Sequence, residues 1–365
     1  MRQQHHALKP ATPGTEHWLT SLHFGAPGRG PKAFIQASLH ADEVPGMLVA
    51  WHLRRQLAEL QNAGRLLGEV VLVPAANPPG LSQFVLRGHQ GRFDLASGEN
   101  FNRGYADLTD SVAQALAGGP VDVPRVRAAL RDAVAALPAP TLLASLRKTL
   151  FALAVDADIV LDLHCDGEAL LHGYTTPGCW PQAELLAACM GWHVALLAER
   201  SGGDPFDEAC SMVWPQLAAR LGQPLPQACM AVTIELRGEA DVDHETAAAD
   251  AQAIVQFLHQ RGLVQGTPTP PPPSRCRALP LAGSMPLPAP HGGVVVFARA
   301  PGAEVQQGDL LAEVIDPITQ DVTAVTAPTA GLFFARDNRR FVAAGASLGK
   351  VAGTEARRSG SLLSP

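Results

Sequence analysis

The chain lacks any cysteine pattern that would staple a fold or chelate a metal. Its six cysteines, Cys165, Cys179, Cys189, Cys210, Cys229 and Cys276, lie scattered over 365 residues without a C-x-x-C pair. They read as reduced, mostly buried thiols. Positive charge is not in excess either: 28 Lys and Arg stand against 34 Asp and Glu, a formal net charge of −6. That balance argues against nucleic acid or an anionic membrane as the main partner. No apolar run reaches the length of a membrane span. Met1-Arg2-Gln3-Gln4-His5-His6 has no apolar segment behind it, so no signal peptide is expected and the cytoplasm is the expected compartment. With 47% hydrophobic and only 17% charged residues, the chain is globular. It is long enough for one large domain, or one large and one small.

The first 265 residues alternate short β-branched runs with longer helical ones, the pattern of an α/β domain with a mixed or parallel sheet. Strands are expected at 32–39, 69–73, 159–163 and 231–236, and helices at 47–60, 183–189 and 245–259. Residues 106–156 read as mostly helical, broken at Gly118-Gly119-Pro120 and at Pro138 and Pro140. Residues 266–276 include four successive prolines, Pro270 to Pro273, and are expected to form an extended linker. Beyond it, residues 277–355 carry glycine-punctuated strand runs in two half-similar blocks, expected to form a small all-β sandwich or flattened barrel. This part resembles the biotinyl/lipoyl-carrier fold, whose carriers place a modified lysine in the hairpin between the halves. Here that hairpin reads Asp316-Pro317-Ile318-Thr319-Gln320-Asp321, without a lysine. An accessory or interface role is therefore expected, with a homo-oligomer assembling through this domain. Residues 356–365 read as a disordered tail.

Chemistry concentrates where strands run out. His40 and Glu43 follow an apolar strand and precede a long amphipathic helix, so both can turn toward one point. His164 ends a second apolar strand, at Leu161-Asp162-Leu163-His164. A lone strand-end histidine is often a core residue bonded to a carbonyl, but its context matches that of His40. Two histidines and one carboxylate leave a fourth position of a tetrahedral zinc open, which is the catalytic pattern. The same ligands serve other divalent ions. Asp162 would orient a ligand from behind, or be an ordinary buried aspartate. Glu235, at the end of the apolar run Thr233-Ile234-Glu235-Leu236, is a candidate general base. The alternative is a salt bridge to Arg237 or a neighbouring arginine. The glycine-rich loop between Gly88 and Gly104 carries Arg92, Asn102 and Arg103. Arg103 with Asn102 would hold a substrate carboxylate, and Arg92 would polarise the scissile carbonyl. A solvated loop arginine is the alternative for each, and Arg87 rivals Arg92.

Together these pieces, in order over residues 30–262, resemble the succinylglutamate desuccinylase/aspartoacylase branch of the zinc carboxypeptidase-like superfamily. The resemblance implies a zinc-carboxypeptidase-like mixed sheet flanked by helices, followed by the small β-domain. It implies one zinc ion per chain, held by His40, Glu43 and His164, with Glu235 as acid/base. It also implies Asn102 and Arg103 gripping a small carboxylate substrate, with Arg92 near the reacting carbonyl. The activity expected is zinc-dependent hydrolysis of an amide, most simply deacylation of an N-acyl amino acid. A metallocarboxypeptidase acting on short peptides, or a non-catalytic small-acid binding protein on the same fold, are the alternatives. The insert 106–156 and the segment 199–208 stand outside the resemblance and are expected to shape the pocket.

Overall fold

The computed structural model describes residues 1–363. The alternation of β-branched and amphipathic runs produces a nine-stranded mixed sheet. In chain order its strands are β1 (Arg2–Ala7), β2 (Trp18–Gly25), β3 (Lys32–Ala37), β4 (Glu69–Val73), β5 (Ile159–Asp166), β6 (His172–Thr175), β7 (Val194–Leu197), β8 (Met230–Gly238) and β9 (Arg277–Pro280). They lie side by side as β1-β2-β4-β3-β5-β8-β6-β7-β9. The central strands β4, β3, β5 and β8 are parallel, while β2 and β6 run antiparallel to their inner neighbours. Their near-continuous apolar sequences follow from helices covering both faces.

On one face Ile35, Leu72, Leu161 and Val232 pack with Val49, Leu53, Leu186, Ile254 and Phe257, which come from helices Pro45–Asn62, Trp180–Met190 and His244–Gln260. On the other, Phe34, Val71 and Val160 meet Val112, Leu130, Leu146, Phe151 and Trp214. Residues 106–156 form three helices, Thr109–Leu116, Val123–Ala136 and Leu142–Ala154. Asp122 and Thr141 cap the latter two, accepting from the amides of Arg125 and Ala144. The expectation that this insert shapes the pocket is not met. Its leucines and valines are used up as a cover for the sheet, and none of its residues lines the cavity beside the metal-ligating candidates.

Beyond the linker, two antiparallel sheets enclose a separate core of Leu287, Val295, Leu311, Val314, Phe333, Leu348 and Val351. Two boundaries differ from expectation. Residues 277–280 are not the start of this unit: as β9 they extend the large sheet, parallel to β7. The tail is not disordered over its described part. The amides of Arg357 and Arg358 donate to Ala282 O, and Leu362 N donates to Ser201 O. These bonds and the burial of Leu362 hold it in place. Ser364 and Pro365, also within that expectation, lie outside the described residues. A short strand at Glu168–Ala169, just past β5, pairs with Gly331–Arg336 and ties the two units together. No helix among the described residues is long and apolar enough to cross a membrane.

Candidate metal centre and its cavity

The parallel strands β3 and β5 end side by side, with Ala37 opposite Leu163. The loops leaving the two strands therefore meet above the sheet's carboxyl edge. After β3 the chain turns through Ser38, which takes a left-handed φ of 63° while fully buried. A non-glycine residue in that region stores strain, and such strain collects at functional turns. Asn77 steadies the turn by donating to Leu39 O. Gly91 lies flat against it, donating to Asp42 Oδ2 and accepting from Ala41 N. A Cβ at Gly91 would stand 2.0 Å from Asp42 N, so only glycine lets the Arg92 loop come this close.

The result is a buried cluster of His40, Glu43 and His164. One ligand atom from each lies within 4.8 Å of the others. Both imidazoles present Nδ1 to the Glu43 carboxylate, His40 at 2.8 Å from Oε1 and His164 at 2.7 Å from Oε2. Both turn Nε2 away: His40 Nε2 lies 2.8 Å from Asn100 Oδ1, and His164 Nε2 lies 3.0 Å from Asp162 Oδ2. Asn100 Oδ1 can only accept, so His40 carries its proton on Nε2 and its lone pair on Nδ1. That lone pair then faces a carboxylate oxygen, acceptor against acceptor, an arrangement that a cationic group between them relieves, and here the Arg92 guanidinium lies within donating distance of both. Two imidazole nitrogens and one carboxylate, each backed by an outer partner, are a donor set that fits a divalent ion of the zinc type.

Electrostatics follow the same geometry. Burial would raise the Glu43 carboxyl, but His40 and His164 outweigh it and hold it well below its usual range. Burial depresses the proton affinity of His40, with Arg92 adding to the effect against Glu43. At His164 burial acts downward too, but Asp162 and Glu43 prevail and hold it well above its ordinary value. The Arg92 guanidinium reaches into the cluster, donating from Nη1 to Glu43 Oε1 at 2.8 Å and to His40 Nδ1 at 3.1 Å.

Residues 29–118 match the family described as succinylglutamate desuccinylase/aspartoacylase catalytic domain. A solved structure of a protein of that family from Shewanella amazonensis is 28% identical, covers 96% of this chain and 98% of its own, and superposes with a TM-score of 0.83. Another, from Shewanella frigidimarina, is 25% identical over 96% of each chain with a TM-score of 0.84. These matches support the succinylglutamate desuccinylase/aspartoacylase family for this chain. A product-bound ectoine utilization protein, EutE (DoeB) from Ruegeria pomeroyi, shares the fold at 17% identity, with a TM-score of 0.68 over 97% of this chain and 95% of that one. No curated protein matches the chain.

The cluster opens into a cavity of about 860 Å³. Glu235 lines it, its Cα paired with that of His164 across β8 and β5. Its Oε2 is buried without a hydrogen-bond partner. Burial, then Asp166 and Glu43, push its carboxyl up to about 8. The salt-bridge alternative fails, because Arg237 is spent on Asp250 through two bonds of 2.8 and 3.0 Å. Arg87 sits exposed in the turn of the Phe84–His89 hairpin, away from the cavity, which leaves Arg92 as the arginine at the cluster.

Asn102 and Arg103 both line the cavity, but their groups are partly engaged. Asn102 Oδ1 accepts from Phe206 N at 2.9 Å, and its amide nitrogen stands 3.5 Å from His164 Nε2. Arg103 donates to Asn102 O. Asp207 and Glu208, from the segment expected to shape the pocket, do line it. Burial and the neighbouring Glu208 push Asp207 up to about 7.

Three contributors escaped the sequence reading. Asn100 lies only two residues before Asn102 but belongs to no motif. Asp166, two residues past His164, and Lys350, from strand Ser347–Ala352, join across the cavity at 3.0 Å. The scarcity of lysine was their one signal, since Lys350 is one of four in the chain.

Proposed function

We propose that the protein is a zinc-dependent amidohydrolase that deacylates an N-acyl amino acid or a similar small carboxylate. The observation that carries this is the convergence of His40 Nδ1, His164 Nδ1 and the Glu43 carboxylate beside an unpartnered Glu235, all in one cavity. His40, Glu43 and His164 would hold one zinc ion per chain. When bound, such an ion acidifies water and polarises a carbonyl.

The chain's own residues do the rest. Glu235 takes a proton from water at Oε2 and returns it to the leaving nitrogen. Its raised proton affinity suits a group that must both accept and release near neutrality. Arg92 stands where a carbonyl oxygen would gain charge, and Arg103, steadied by the Asn102 carbonyl, is placed to meet the substrate's carboxylate. Asn102 orients that site through Phe206 N. The ectoine utilization relative is described as product-bound, which agrees with a small-molecule substrate. Six cysteines without a disulfide suit a reducing compartment such as the cytoplasm. The C-terminal β-unit keeps its reading as a biotinyl/lipoyl-type accessory domain through which copies assemble.

The decisive experiment is Glu235→Gln in metal-loaded protein, assayed by amine release from N-acyl amino acids. Turnover should fall at least about a hundredfold, while elemental analysis still finds about one zinc per chain. Wild-type rates in that variant would remove Glu235 from the reaction.

A further inference from the structure

Part of the cavity's lining is an apolar cluster that the hydrolytic reading does not use. Tyr174, Leu196, Leu281, Leu362 and Leu363 line the same cavity as the metal cluster. All but Leu363 are largely buried, and they form one apolar cluster with Phe334 and Ala352. Two of the five come from the segment that succeeds the β-unit.

That segment is built into place. Arg357 and Arg358 donate their amides to Ala282 O. The Arg358 guanidinium donates to Ser284 O at 3.1 Å and to Leu362 O at 2.8 Å. Both contacts go to main-chain carbonyls, so the side chain acts as a staple that folds residues 358–362 back on themselves. Leu362 N then donates to Ser201 O at 2.7 Å. At Gly202, with φ of 101°, a Cβ would come within 2.7 Å of Ser361 Oγ, so the close approach depends on glycine. The next residue, Gly203, packs against Arg103. The segment therefore bears on the loop that adjoins the proposed carboxylate-binding arginine.

A substrate lying in this cavity would have its polar groups at the cluster and an apolar part among the leucines. We infer that residues 358–363 are a specificity element: Leu362 and Leu363 wall an apolar subsite for an unbranched aliphatic acyl chain and set the chain length it accepts. The inference rests on the deacylase reading for the identity of the chain, but not for the existence of the subsite. Each methylene accommodated adds about a fourfold gain in affinity, from roughly 0.8 kcal/mol per buried CH₂, until the leucine wall is reached.

The test uses straight-chain monocarboxylates from acetate to decanoate as probes. Their binding to zinc-loaded wild type, Leu362→Ala and Leu362→Phe is followed by calorimetry, and hydrolysis of the matching N-acyl alanines is measured in parallel. In the wild type, affinity should climb and then level off. Leu362→Ala should move that limit to a longer chain and Leu362→Phe to a shorter one, with KM following. A chain-length profile unchanged in both folded variants would overturn the subsite. A profile that shifts without hydrolysis of any N-acyl alanine would keep the subsite and overturn the deacylase reading.

Discussion

Asn100 decides which nitrogen of His40 carries the proton, by accepting from Nε2 and from the Asn102 amide at 2.8 Å each. It thereby turns the Nδ1 lone pair toward Glu43. Asn100→Ala should weaken zinc binding about 10- to 100-fold, as loss of an outer partner does elsewhere, measured by competition with a chelator. Asn100→Asp, which keeps an acceptor, should lose much less. Gly91→Val tests the neighbouring loop. Its side chain would have to displace Asp42 N, so the Arg92 loop must lift away. Amine release should fall at least about tenfold while circular dichroism stays near wild type; unchanged turnover would show that Arg92 need not sit against the cluster. His40 and Glu43 were readable because one short turn carries both. Asn100 was not, because its role depends on a bridge between Phe93 and Asn100 that folds the loop back.

Among the elements, the strand Ser347–Ala352 reaches across to the large unit, where Lys350 pairs with Asp166 at the end of β5. Burial would raise Asp166, but Lys350 and His172 outweigh it and hold the carboxyl below its usual range. For Lys350 burial acts downward, and Asp166 and Tyr174 reverse it. A carboxyl held low when folded stabilises above its unfolded value, near 4, and loses that contribution as pH falls through the folded value. Lys350→Met should therefore destabilise the fold at pH 7, by about 1–3 kcal/mol for leaving the Asp166 carboxylate without its partner. In urea unfolding of metal-free protein the gap between variant and wild type should shrink as pH drops below about 4. A gap of equal size at about pH 3 would mean that the pair is not its source. The helices of 106–156 were legible from their breaks and periodicity. Their task as a cover was not, because periodicity shows that a face is apolar without showing what it meets.

For the molecule as a whole, the boundary between units matters more than the linker suggests. β9 comes after the proline-rich stretch yet completes the large sheet beside β7. A chain ending at residue 265 would leave β7 as an open edge and uncover Tyr174, Val194 and Leu196. Such a fragment should aggregate on expression, whereas the full chain should not. Size-exclusion chromatography distinguishes the two outcomes, and a monodisperse, cooperatively folding fragment would contradict this account. The small unit is thus part of the wall of the metal-cluster cavity as well as an appendage, supplying Lys350 and, through the segment after it, Leu362.

Much of this architecture was already present in local pattern. Strand ends, the spacing of His40 and Glu43, the matching end at His164 and the isolated Glu235 all depend on a few adjacent residues. The side-chain period of a strand then dictates what its end can present. What folding alone settled is which of these groups meet and what surrounds them: Asn100 behind His40, Arg237 drawn to Asp250, Lys350 on Asp166, and Leu362 in the cavity wall. The first three of these contacts span 60, 13 and 184 positions of the chain. Contacts of that reach depend on sheet order and on the path of loops, which no short stretch of sequence encodes.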